Sequence, residues 1–188
     1  LAWLTEIDTG LFLFFNVKLA NAGSDLLMPI ITNDWFLRVV FLIIILYLLI
    51  LGKKRGRIAA ALCIVTVAAS DLTSAAVFKP LFERIRPCHV IANVHLLVNC
   101  SQGLSFPSSH AANSFGQAAL LAAIYPRHRV IFLLIAAVVS YSRIAVGVHY
   151  PFDVLAGALL GIGCGLAVFF LHRQTARRFP LLDYDLSR

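Results

Sequence analysis

Five apolar runs, at residues 35–51, 58–78, 111–125, 130–150 and 154–171, set the terms for any fold of this chain. Only Arg38 interrupts the first and only Asp71 the second. A helix that crosses a bilayer needs about 20 mostly apolar residues. The chain is 60% hydrophobic and 13% charged, against about 45–50% and about 25% in soluble domains. A globular core built from 188 residues cannot bury that much apolar surface, so lipid must cover part of it. The expected fold is all-α: one domain, a polytopic membrane helix bundle with five transmembrane helices over 35–172. The N-terminal 34 residues are different. Asp8, Asn16, Lys18, Asn21 and Asp25 break up Leu11, Phe12, Phe14 and Phe15. This pattern predicts an interfacial amphipathic helix followed by a short apolar segment at 26–31; a sixth span is the alternative.

The net charge of +7 does not indicate nucleic acid. The cations sit in short clusters between the apolar runs: Lys53, Lys54, Arg55 and Arg57, then Arg127 and Arg129, then Arg173, Arg177 and Arg178. That is the pattern of cytoplasmic loops in an inner-membrane protein. It puts the 173–188 tail inside, and the acidic N-terminal segment, the 79–109 loop and the 143–153 turn outside. The first residues show no secretory leader pattern. Cys63 and Cys164 lie within apolar runs and read as packing residues. Gly157, Gly161 and Gly165 form a stripe for close helix approach.

Polar groups gather at the outer helix ends. Lys79, Arg84 and Arg86 follow the second span, Ser108, Ser109 and His110 open the third, and Arg143, His149 and Asp153 join the fourth to the fifth. Ionisable groups at membrane depth are costly and mark functional sites. Cations on the outer face run against the positive-inside bias, and an anionic substrate there would account for them. Four cations and two histidines without a carboxylate cluster suit phosphate better than a divalent metal.

Ser108 stands where a helix N-cap is favoured, and free amides at a helix start hold anions. A plain cap explains that tetrapeptide equally well. Asp153 falls in the first turn after Pro151 and can hydrogen-bond the His149 ring. Such a bond fixes the tautomer and frees the other nitrogen as a nucleophile; taken alone, a structural His–Asp pair is the commoner meaning. Asp71 lies eight residues before Lys79, about 12 Å along a helix, and reads as a hydrogen-bonding group within the bundle. Arg84, His89 and His95 read as solvated loop residues.

Together these pieces match a three-part signature. The stretch from Lys79 to Arg86-Pro87, the tetrapeptide Pro107-Ser108-Ser109-His110, and Ser142-Arg143 followed by His149 and Asp153 resemble the motifs of the phosphatidic acid phosphatase type 2 superfamily. Ser109 departs from that family's usual Gly. The resemblance implies a membrane lipid phosphatase that uses neither cofactor nor metal. It implies His149 as nucleophile through a phosphohistidine, Asp153 as its orienting carboxylate and His110 as acid and base. Lys79, Arg86, Arg143, Ser108 and Ser109 would bind the phosphate, on the periplasmic or extracellular side. The lipid substrate and the bilayer are the implied partners.

Cys88 and Cys100 share the outer loop, where an oxidising compartment favours a disulfide. A bridge of that span contributes roughly 3 kcal/mol in the chain-entropy model. Among bacterial envelope lipids, undecaprenyl diphosphate is the first expectation. Phosphatidylglycerophosphate, phosphatidic acid and lipid A are the alternatives. A lipid-to-lipid phosphotransferase would carry the same motifs. A transport or lipid-binding bundle would extend its polar groups across the bilayer, and the third to fifth spans do not.

Overall fold

The computed structural model describes residues 2–179, and every regular element among them is helical. Residues 180–188 of the expected tail lie outside the described residues. In chain order the helices are α1 (Ala2–Leu13), α2 (Ala22–Ile31), α3 (Asp34–Leu51), α4 (Lys53–Leu72), the short α5 (Lys79–Phe82) and α6 (Pro87–Val90), then α7 (Ser109–Ile124), α8 (Arg129–Ala145) and α9 (Pro151–Arg178). Local chemistry sets several of the starts. Asn21 and Ser24 cap α2 reciprocally, Asn33 Oδ1 accepts the Phe36 amide at α3, and Ser108 caps α7.

Four stretches are long and apolar enough to cross a membrane: Asp34–Leu51, Lys53–Val90, Pro126–Ala145 and Pro151–Arg178. The remaining expected span, the third at 111–125, corresponds to α7, which has 16 residues. It is built from Ala, Ser and Gly because protein covers it: α4, α8 and α9 all pack on it. The last helix continues through Arg178, so the start of the expected tail is helical. Its 28 residues extend about 42 Å, enough to carry Arg173, Arg177 and Arg178 past the hydrocarbon.

The core divides by depth. Ile45, Leu48, Ala59, Cys63, Leu120, Ile124 and Phe169 form an aliphatic cluster at the end bearing the basic clusters. At the other end Phe12, Ile144 and Tyr150 pack together, with the Phe12 and Tyr150 rings 5.5 Å apart. Between α7 and α9 the backbones touch. A Cβ on Gly157 would collide with Ser108 O, one on Gly161 with Ala112 O, and one on Gly165 with Gly116 O. The glycine stripe therefore packs within the chain and fixes the register of the two helices that carry His110 and Asp153.

The N-terminal segment differs from the expected interfacial helix in which face it turns where. Trp3, Ile7, Leu11 and Phe14 are exposed, whereas Asp8, Phe12 and Asn16 are buried against the bundle. Asp8 and Asn16 turn inward because their partners are protein groups, while Thr5, Glu6 and Lys18 stay exposed. After Leu13 the helix widens into a π-helical turn, Phe14–Lys18. A second π turn, Thr73–Phe78, links α4 to α5 just before Lys79; such turns re-aim the residues that follow and recur at functional sites. Asp71 accepts a hydrogen bond from Asn113 Nδ2 (2.9 Å), as a bundle group should, though it lies at the exposed surface.

Candidate active site

The turn between α8 and α9 carries the central histidine. The Val148 and His149 amides both donate to Arg143 O (3.2 Å each), which curls the chain back over the end of α8. Gly147 makes this curl feasible. Its φ of +87° is strained for an L side chain, and a Cβ there would press on Val94 and His95 O. Pro151 then starts α9, and Asp153 in its first turn takes the Tyr150 amide on Oδ2 (2.9 Å).

His149 is fully enclosed, and its ring bonds fix its tautomer. Arg86 Nη1 donates to Nε2 (3.1 Å). A guanidinium has no acceptor, so Nε2 must hold the lone pair. The proton then sits on Nδ1, 3.5 Å from Asp153 Oδ2. Ser105, also buried, donates to that same carboxylate oxygen (2.5 Å) and lies 3.4 Å from Nδ1. Burial pushes the His149 pKa from its ordinary 6.5 down to about 3, with Arg86 and Arg143 acting in the same direction and Asp153 opposing. The ring is therefore neutral at physiological pH, as a nitrogen nucleophile must be.

This has a consequence for stability. The unfolded chain takes up a proton on this ring near pH 6.5, and the folded chain does so only near 3. The stabilisation is present above pH 6.5 and drains away as pH falls towards 3. In detergent, the apparent Tm of the unaltered protein should fall more steeply between pH 6.5 and 4 than that of His149→Gln. Parallel curves would contradict a neutral buried imidazole.

Arg86 and Arg143 act on this histidine electrostatically, and Lys79 neighbours both, each from a separate element. Lys79 follows the π turn of α4, Arg86 precedes α6, and Arg143 ends α8; they are mutual electrostatic neighbours. Arg86 is nearly buried, its Nε giving a hydrogen bond to Gly103 O (2.8 Å) and its Nη1 a second one to Val148 O (3.2 Å). Ser108 lies at the start of α7, its amide bonded to Asp153 O (3.0 Å), so the cap of α7 and the carboxylate of α9 are held together. Ser109 Oγ meets Ser74 Oγ of the π turn at 3.1 Å. His110 points its Nε2 at Thr32 O (3.2 Å) and Asp34 Oδ1 (3.3 Å), and Arg143 Nη1 donates to Thr32 Oγ1 (2.5 Å). All eight motif residues thus come to one end of the bundle. Asp153, with Asp8 linked to it through Arg84, lies on the Nδ1 side of His149, and Asp34 stands beside His110, while Lys79, Arg86 and Arg143 crowd together where an oxyanion would relieve their repulsion.

Several participants escape sequence reasoning. Arg84 is not the solvated loop residue expected. It forms ion pairs with Asp153 Oδ1 and Asp8 Oδ2 at 2.7 Å each, and lies 3.9 Å over the Tyr150 ring. His95 is likewise engaged, with Asp25 through Nε2 (2.9 Å) and with Asn16 through its backbone. His89 remains exposed beside Ser101 O (3.1 Å). Ser105, Asp8, Asn16, Thr32 and Asp34 lie outside all three motifs. A charge such as Asp8 within an apolar helix was the one available signal. Cys88 and Cys100 are joined by a disulfide, with Cα atoms 6.3 Å apart, in the loop that follows Arg86.

Known proteins resemble this chain in sequence and in fold. The model of the PAP2 superfamily matches residues 57–177. A lipid A 4'-phosphatase of Bacteroides thetaiotaomicron is 36% identical over 93% of the chain and 81% of its own length. An undecaprenyl-diphosphatase of Sulfolobus acidocaldarius is 38% identical over 61% of the chain and 55% of its own length. Among solved structures, a transmembrane PAP2-type phosphatidylglycerolphosphate phosphatase from Bacillus subtilis superposes with a TM-score of 0.72 at 25% identity, over 94% of this chain and 89% of that one.

Proposed function

Because the chain belongs to the PAP2 superfamily and is a membrane lipid phosphatase, we propose that it removes a phosphate carried on the sugar of a lipid A-type glycolipid, through a phosphohistidine on His149. One observation carries the choice of substrate. The likeness to the Bacteroides lipid A 4'-phosphatase runs through 93% of the chain, and so takes in the N-terminal segment. Thr32 and Asp34 of that segment touch His110 and Arg143. The likeness to the undecaprenyl-diphosphatase covers 61%. The undecaprenyl diphosphate expected from the motifs is therefore the less supported substrate.

In this reading the phosphate approaches from the outer face, among Lys79, Arg86, Arg143 and the Ser109 and His110 amides. Arg86 transfers its hydrogen bond from His149 Nε2 to an equatorial phosphate oxygen. Nε2 attacks phosphorus in line, the P–O bond to the lipid breaks, and protonated His110 gives the leaving oxygen its proton. That oxygen takes the place of Thr32 O as the acceptor of the His110 Nε2–H. Asp153, with Ser105, holds the Nδ1–H and balances the positive charge on the ring. Water then attacks phosphorus, His110 accepts the water proton, and the P–N bond breaks to release phosphate. The cations supply the charge neutralisation that phosphoryl transfer requires.

The test is release of phosphate by the purified protein in detergent with EDTA. The substrates are bis-phosphorylated lipid A, undecaprenyl diphosphate, phosphatidylglycerophosphate and phosphatidate. Lipid A should show kcat/KM at least about tenfold above the others, and mass spectrometry should show that it loses one phosphate. Higher turnover of undecaprenyl diphosphate would replace the substrate proposed here. Appearance of the phosphate on a second lipid would make the enzyme a transferase.

A further inference from the structure

The N-terminal helix grips the α8–α9 turn at both of its ends. At the start of α9, Asp8 is fully enclosed. Its Oδ1 accepts the Phe152 amide (2.9 Å) and its Oδ2 pairs with Arg84 (2.7 Å). Arg84 then reaches Asp153 Oδ1 (2.7 Å), leaving Oδ2 for His149 Nδ1, Ser105 and the Tyr150 amide. At the other end, buried Asn16 donates through Nδ2 to Ala145 O (2.9 Å) and Ile144 O (3.2 Å), directly after Arg143. The same side chain exchanges hydrogen bonds with the backbone of His95 (2.9 Å each). Asp8 and Asn16 are eight residues apart and lie on one face of a continuous helical segment, with Phe12 between them against Tyr150.

A buried aspartate is costly unless it is paired and fully hydrogen-bonded. Here its partners all belong to the nucleophile's surroundings. Two carboxylates bracket one guanidinium, and the ring of Tyr150 covers it. The single positive charge holds Asp153 at a fixed angle to His149 without competing for the oxygen that the imidazole uses. We infer that Asp8, acting through Arg84, is a positioning residue of the phosphatase reaction, although it lies outside the PAP2 superfamily match at 57–177.

This inference rests on the proposed phosphohistidine chemistry. The experiment compares steady-state phosphate release from the preferred lipid by the full-length unaltered protein, Asp8→Asn, Arg84→Gln and the double variant. Asp8→Asn preserves shape and should lower kcat about 10- to 100-fold, the usual result of a small misplacement at a reacting centre. KM should stay within about twofold, because neither residue touches substrate. The double variant should be no slower than Arg84→Gln, since Asp8 acts through that side chain. Phe12→Leu, on the same helix face, loosens packing without altering the charge link; its Tm should drop while kcat holds within about twofold. If Asp8→Asn does not accumulate, Arg84→Lys keeps the charge but loses the two-carboxylate fork, and should lose about tenfold in kcat at constant KM. Full kcat in Asp8→Asn or Arg84→Lys, additive losses in the double variant, or an equal loss in Phe12→Leu would each overturn the positioning role while leaving the phosphatase reading intact. No phosphate release by the unaltered protein from any lipid would overturn both.

Discussion

Substituting His149 with Ala is expected to abolish turnover, with kcat down by at least about 10⁴-fold, as for loss of other covalent nucleophiles. Substrate binding should survive, because Lys79, Arg86 and Arg143 come from other elements and keep their charge. The sharper readout is the covalent intermediate. Acid-stable phosphoserine and acid-labile phosphohistidine behave differently, so the unaltered protein, quenched in base after brief exposure to labelled lipid, should retain label that acid removes. His149→Ala should retain none. Label persisting in the variant would move the nucleophile elsewhere, with His110 the next nitrogen to examine. The tautomer argument makes a finer distinction. Asp153→Asn should still form the intermediate, but slowly, because an amide can present its own N–H to Nδ1 and favour the wrong tautomer.

Arg86 should give the second-largest effect. It is the buried cation in direct contact with His149 Nε2 (3.1 Å), and its guanidinium also ties Gly103 O and Val148 O, so it joins the 79–109 loop to the α8–α9 turn. Arg86→Ala is expected to cost about 10³-fold in kcat, within the range for loss of a guanidinium that stabilises a transferring phosphoryl group. Arg86→Lys retains the charge without the planar fork, and should recover about a tenth of the lost activity. Inhibition by inorganic phosphate should weaken in both variants. Comparable phosphate affinity in Arg86→Ala and in the unaltered protein would mean that Arg86 serves the fold and not the oxyanion.

The legible parts of this site are those whose chemistry is local in the chain. Lys79 and Arg86, Ser108 and His110, or Arg143, His149 and Asp153 sit within a few helical turns of one another. Phosphate chemistry suits their residue types, and their spacing, read with the resemblance to the PAP2 motifs, brings them forward. The helices were legible for the same kind of reason, because lipid demands long apolar runs with closed backbone bonds. α7 was legible too, although its 16 residues and Ala-rich composition reflect packing by α4, α8 and α9. Asp8 was not legible. Its partners Arg84 and Phe152 are 76 and 144 residues away, and the surrounding sequence reports only that a charge interrupts an apolar stretch. Arg84 was misread because a cation in an outer loop is usually solvated, and nothing nearby in sequence announces two carboxylates. Thr32 and Asp34 stand just before the first apolar run, and only the packing of α2 and α3 brings them to His110 and Arg143.

The glycine contacts between α7 and α9 also limit how a water-insoluble substrate reaches a nucleophile held by the bundle. Ser108 O, Ala112 O and Gly116 O lie so close to Gly157, Gly161 and Gly165 that not even a methyl group fits between the two backbones. A methylene chain is about 4 Å across, so no acyl tail threads that seam. The tail of a lipid substrate must stay in the bilayer along another flank. The seam thereby works as a wall that closes one side of the bundle to an arriving lipid.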